Sequence, residues 1–91
     1  MIPIPRRLQV FDLPIVLESK DRERLSVYLV GFQHLAPCIS TINEPDLQRL
    51  VIMELMGKQR WELLDRLLMR IGKVQRKRIH NRITKCLRKH K

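Results

Sequence analysis

Apolar side chains recur at helical spacing through the middle of this chain. Leu25, Tyr28, Leu29, Phe32 and Leu35 fall three or four positions apart, which predicts an amphipathic helix over residues 20–35. Ser19 stands where a cap is needed, and Asp21 and Glu23 put negative charge in the first turn, where the helix dipole favours it. Val27 and Val30, with Leu29 and Phe32, leave a strand as the alternative. Pro37 ends the segment, and residues 38–42 read as a connection.

Asn43, Glu44, Pro45 and Asp46 together form a strong helix start: a capping amide, an early proline and two acids in the first turn. The helix continues to Met56. Leu47, Leu50, Val51, Ile52, Met53, Leu55 and Met56 cover most of its circumference, so it should be the most buried element. Gly57 and Lys58 close it, glycine accepting the left-handed conformation that satisfies terminal carbonyls. A third helix from Arg60 carries Trp61, Leu64, Leu67, Leu68 and Ile71 on one face, with Glu62 four positions before Arg66. These two helices should form an antiparallel hairpin. Gly72 either ends the third helix or weakens a continuous one.

Pro3, Pro5 and Pro14 punctuate the first seventeen residues, and the pattern from Leu8 to Leu13 is too short for a stable helix. An extended arm is expected, with at most one strand, packing across its own domain in preference to a second subunit. The predicted fold is mainly α: a small helical domain of three to four helices. An extended N-terminal arm spans 1–18, a helical core 19–72, and a basic amphipathic C-terminal helix 73–91.

A chain of 91 residues allows one small domain and little room for a deep, walled active site. Residues 25–43 lack charge, but Ser26, Gln33, His34, Pro37 and Asn43 fit a core helix plus loop better than a membrane span. No secretion signal is read at the start. Cys38 and Cys86 form no C-x-x-C pattern and suggest two free thiols in a reducing compartment, hence an intracellular protein, cytoplasmic or nucleoid-associated.

Charge changes the picture more than composition does. Residues 66–91 hold eleven Lys or Arg and no Asp or Glu, against a neutral balance over residues 1–45 and a net charge of +10. Such concentration implies a polyanionic partner. At 100° per residue, Ile79, Ile83, Cys86 and Leu87 gather on one arc, while Lys77, Arg78, Asn81, Arg82, Lys85, Arg88 and Lys89 gather on the other. One stripe packs and the other presents charge. Contact residues are therefore Lys77, Arg78, Arg82, Lys85, Arg88 and Lys89, with Lys73, Arg76 and Lys91 secondary. Asn81 and Arg78 are suited to base edges.

Phe11, Tyr28, Phe32 and Trp61 lie outside the basic helix, and their spacing assigns Tyr28, Phe32 and Trp61 to core stripes. Single-strand binders stack bases on aromatics set within a basic surface. Duplex DNA is favoured on that ground, with structured RNA the other nucleic-acid candidate. No membrane partner is expected, because the apolar stripe lacks an aromatic anchor. The stripe of Ile79, Ile83 and Leu87 is a candidate homodimer contact.

From Gly57 to Val74 the chain resembles the helix-turn-helix of bacterial sigma factor region four and the LuxR-type regulators. Glu62 and Leu63 stand five and six after Gly57, Leu67 ten after it and Val74 seventeen after it. The resemblance implies that the helix beginning near Val74 enters the major groove. It covers about a fifth of the chain with permissive residue types. Beyond Val74, Arg78, Asn81 and Lys85 occupy positions where the family is apolar, and Leu64 stands where it has a small residue.

His34 with Cys38, and Cys86 with His90, have ligand character, but neither pair forms a tight zinc knuckle. No metal or cofactor is expected. Glu54, Glu62 and Asp65 fit helix salt bridges to Lys58 and Arg66, and no phosphate loop or nucleophile setting appears, so an enzyme is not expected. The sequence points to a nucleic-acid-binding protein, a small transcription regulator acting on duplex DNA through its basic helix. The alternatives are a structural or assembly protein, such as a ribosomal component or viral packaging factor, and a protein-binding module for an acidic partner.

Overall fold

Proline-rich backbone cannot supply a full ladder of hydrogen bonds, and the first segment of this chain meets that shortage with one side chain. In the computed structural model, which describes residues 2–11 and 14–87 apart from the side chains of Phe32, Lys73, Val74, Cys86 and Leu87, Gln9 bonds Ile15 twice. Its Nε2 donates to the Ile15 carbonyl at 3.1 Å and its Oε1 accepts the Ile15 amide at 3.0 Å. An isolated antiparallel bridge joins Ile2 to Leu17, whose carbonyl accepts the Ile2 amide at 2.7 Å. Between them lies a 3-10 turn, Arg6–Leu8. Leu8, Val10, Phe11 and Leu17 are buried, the first three within the main core. The arm packs against its own domain.

The predicted helix over 20–35 is broken into three pieces: α1, Ser19–Leu25; a 3-10 turn, Ser26–Leu29; and α2, Phe32–Leu35. Glu18, rather than Ser19, is the cap, and the Asp21 carboxylate accepts the Glu18 amide at 3.2 Å. Periodicity correctly marks Leu25 and Leu35 as buried, but the backbone between them cannot hold one helix. Ser26 turns its hydroxyl back to the Glu23 carbonyl at 3.0 Å, a competing bond that disfavours helix interiors. Val27 and Val30 are β-branched and exposed, so no burial offsets their weak helix propensity, and Gly31 follows.

The next helix, α3, Glu44–Met56, starts at the Asn43 cap, whose Oδ1 accepts the Asp46 amide at 3.0 Å. Leu47, Leu50, Val51, Ile52 and Leu55 are buried along it. Its end differs from expectation. Gly57 is not left-handed (φ −108°); the left-handed residue is Gln59 (φ 57°), whose Nε2 caps the Leu55 carbonyl at 3.0 Å. Glu54 is also redirected. It pairs with Arg60 rather than Lys58: Oε2 accepts the Arg60 backbone amide at 2.8 Å and Nε at 3.0 Å, and Oε1 accepts Nη2 at 3.0 Å. The same Nη2 donates to the Leu29 carbonyl at 2.7 Å. A carboxylate buried here thus has all its bonds satisfied and draws α3, the following turn and the broken segment together.

Arg60 leads into α4, Trp61–Ile71, whose Leu63, Leu64, Leu67 and Leu68 are fully buried. Gly72 then settles the question of continuity: at φ 138°, ψ 151° it ends α4, and α5, Lys73–Leu87, begins with the next residue. L-residues rarely adopt that conformation. The Gly72 amide bonds the Leu68 carbonyl and its own carbonyl accepts the Arg76 amide at 2.7 Å, so one residue caps both helices. Ile79 and Ile83 of α5 complete the core with α3, α4 and the arm.

A second polar cluster fastens α1 to α3. Arg24 clasps Asp46 through two bonds, at 2.9 and 3.1 Å, and reaches Asp21 at 3.0 Å. Arg49 adds a bond to Asp46 at 2.8 Å and one to the Val16 carbonyl at 3.2 Å. Hydrogen bonds from Arg24 hold both carboxyls below the usual carboxylate range, and the same carboxylates, Asp46 foremost, raise the Arg24 guanidinium above its ordinary value. Among the described residues no helix is long and apolar enough to cross a membrane.

Candidate nucleic-acid interface

On α5, burial and charge separate as helical geometry requires. Ile79 and Ile83, one turn apart, are 3% and 0% exposed. Gln75, Lys77, Arg78, Asn81 and Lys85 are exposed. Arg76 and Arg82 are half-buried, three positions before and after Ile79, so each lies about 60° around the helix from Ile79. Five of the nine sequence-designated contact residues, Arg76, Lys77, Arg78, Asn81 and Lys85, thus lie on the outer face or its margin. The Lys73 side chain, Arg88 and Lys89, like the secondary contact Lys91, lie outside the described residues.

Arg82 departs from its expected place on the charged arc. Its Nη1 donates to the Val10 carbonyl at 2.7 Å, which braces α5 against the arm. The burial of Ile79 and Ile83 likewise occupies two of the three residues considered for a dimer contact, and Leu87 falls outside the description.

The arm also reaches α5. Its Arg6–Leu8 turn packs against α5, and both Arg6 and Arg7 are exposed there. Nothing in the spacing of residues 1–18 pairs them with a helix some seventy positions later. The only sequence signal is the apolar set Leu8, Val10 and Phe11, which needs a core to join.

Trp61 is a second correction. Rather than filling the core it is 37% exposed, and its ring stands 4.9 Å from that of His80 on α5, tilted by 34°. Four buried leucines of α4 already satisfy the interior, and Trp61 in the first turn is free to lie across the neighbouring helix. Next to this pair an open groove between α4 and α5 is lined by Asp65, Arg76, Lys77, His80 and Asn81. One aromatic therefore borders the basic face after all.

Among the described residues no group of three or more His, Cys, Asp or Glu is placed to hold a metal ion. His34 lies on α2 and Cys38 precedes the 3-10 turn Ile39–Thr41; the Cys86 side chain and His90 fall outside the description.

Comparison of the chain with protein-family models, curated proteins and solved structures finds no match. The helix-turn-helix resemblance meets two departures in the structure. Leu64, at the family's small position, is fully buried, and α4 joins α5 through the single residue Gly72, where such units use a turn of three or four residues.

Proposed function

We propose that the protein binds nucleic acid through the outward face of α5, as a small regulator of transcription. Lys77, Arg78 and Lys85 take backbone phosphates, and Asn81 meets a base edge. The observation that carries this reading is the exposed row of Lys77, Arg78, Asn81 and Lys85 on a helix anchored from behind by Ile79 and Ile83. The stripe is backed by packed residues, and residues 66–91 contain no Asp or Glu. Neutralising phosphates would relieve the mutual repulsion of these cations and release counterions from the polymer.

Duplex DNA is the first substrate, because a helix with one apolar seam and one cationic face fits the width of a major groove. Titration of labelled duplexes of differing sequence, at several salt concentrations, tests the proposal. A regulator shows salt-dependent affinity with strong preference for one sequence. Salt-dependent binding without preference indicates an assembly or packaging role, and absence of binding to duplex DNA and structured RNA alike overturns nucleic-acid binding.

A further inference from the structure

The groove between α4 and α5 carries groups that a phosphate-binding face alone does not require. Trp61 keeps 37% of its surface in water although the core beside it is filled by Leu63, Leu64, Leu67 and Leu68. Its ring lies against that of His80, tilted by 34°, and His80 shares the groove with Asp65, Arg76, Lys77 and Asn81. The aromatic surface that this pair leaves exposed at the edge of a cationic helix suits a base, since every base offers a flat face and stacking is tolerant of its identity.

The exposed Asp65 sharpens the choice. A carboxylate in the groove repels phosphate but accepts a hydrogen bond from a base N–H. Asn81 offers both a donor and an acceptor, while Arg76 and Lys77 supply cations for the adjoining phosphates. The bases of a closed duplex keep their faces stacked on one another, so only an unpaired nucleotide can use the Trp61 and His80 rings.

We infer that this groove seats an unpaired base beside a helical stem held on α5, so that the substrate class is nucleic acid with unpaired nucleotides adjoining a duplex. The inference rests on the proposed α5 interface and specifies its ligand. DNA and RNA share the chemistry.

Trp61 is the single tryptophan of the chain, so its emission reports on the ring pair that borders the groove. The experiment compares a fully paired duplex with the same duplex carrying a one-base bulge or a short overhang, each as DNA and as RNA. Anisotropy of the labelled oligonucleotide and Trp61 fluorescence are recorded together. The expected result is quenched emission and about tenfold tighter binding for the substrates with an unpaired base. Trp61→Ala removes that preference and leaves duplex affinity intact, and Trp61→Phe keeps part of it. Equal binding of all substrates with unchanged emission overturns the inference while the α5 interface stands. No binding of any substrate overturns both. The emission of the unaltered protein decides the matter even if Trp61→Ala fails to fold.

Discussion

Arg82 donates from Nη1 to the Val10 carbonyl at 2.7 Å, joining α5 to the arm across seventy-two positions of chain. A cation in the middle of the basic run thus holds the fold together. Arg82→Ala is expected to lower stability by about 1–2 kcal/mol, because a partly buried carbonyl loses a charged donor. Hydrogen exchange of residues 8–11 should accelerate with it. Unchanged protection there would show that the arm is held by Leu8, Val10 and Phe11 alone.

Lys77 and Lys85 should behave in the opposite way. Both are exposed, so Lys77→Ala and Lys85→Ala should alter stability by no more than about 0.5 kcal/mol. Each should flatten the dependence of log affinity on log salt by about 1 for nucleic acid. Binding isotherms at four or more salt concentrations, set beside denaturation curves, distinguish these residues from Arg82.

Gly72 adopts φ 138°, where a Cβ brings strain even though nothing lies within 4 Å of its position. Gly72→Ala should cost about 1–3 kcal/mol. Urea denaturation measures the loss, and a stability equal to that of the unaltered protein would mean that α4 and α5 can merge without penalty.

Glu54, whose side chain is 2% exposed, pairs with Arg60, whose side chain keeps 24% of its surface in water. Glu54→Ala removes charged acceptors from the partly exposed guanidinium and from the Arg60 amide and should destabilise by about 2 kcal/mol. Lys58→Ala, at the exposed position that helix spacing assigns to Glu54, should do almost nothing. Equal effects of the two substitutions in thermal melts would contradict the observed pairing.

Acid should loosen the attachment of α1 to α3. The folded-state values of Asp21 and Asp46 are depressed, so below the unfolded carboxylate value of about 3.9 the unfolded chain binds more protons than the folded one. Their contribution is fully present above that value and is lost as pH falls through the lower folded values. Asp46→Asn should lower the melting temperature near neutrality and make its fall below about pH 4 shallower. Parallel acid profiles for the two proteins would remove Asp46 from the cause.

Local signals were enough for α3, where cap, proline and first-turn acids follow one another, and its observed start agrees with them. They were insufficient where two local preferences conflict. The 20–35 segment has helical periodicity in its apolar residues but also the exposed, β-branched Val27 and Val30 followed by Gly31, and these backbone preferences prevailed. Pairings over distance were not legible: Asp46 reads as a helix-start acid, yet its clasp comes from Arg24, twenty-two positions earlier. Arg82 could have been suspected, since a residue three beyond Ile79 borders the packing face. Trp61 could not, because spacing puts it on the same stripe as Leu64 and Leu68. Only the arrival of α5 shows that the stripe's first turn remains open to water.

The single-residue joint at Gly72 has a consequence for the speed of binding. Both walls of the groove are fixed to one core, and no loop between α4 and α5 is available to act as a gate. A ligand meets the face in its final shape. Association should then be limited by encounter, with a rate that rises steeply as ionic strength falls, rather than by a slow rearrangement that salt leaves untouched.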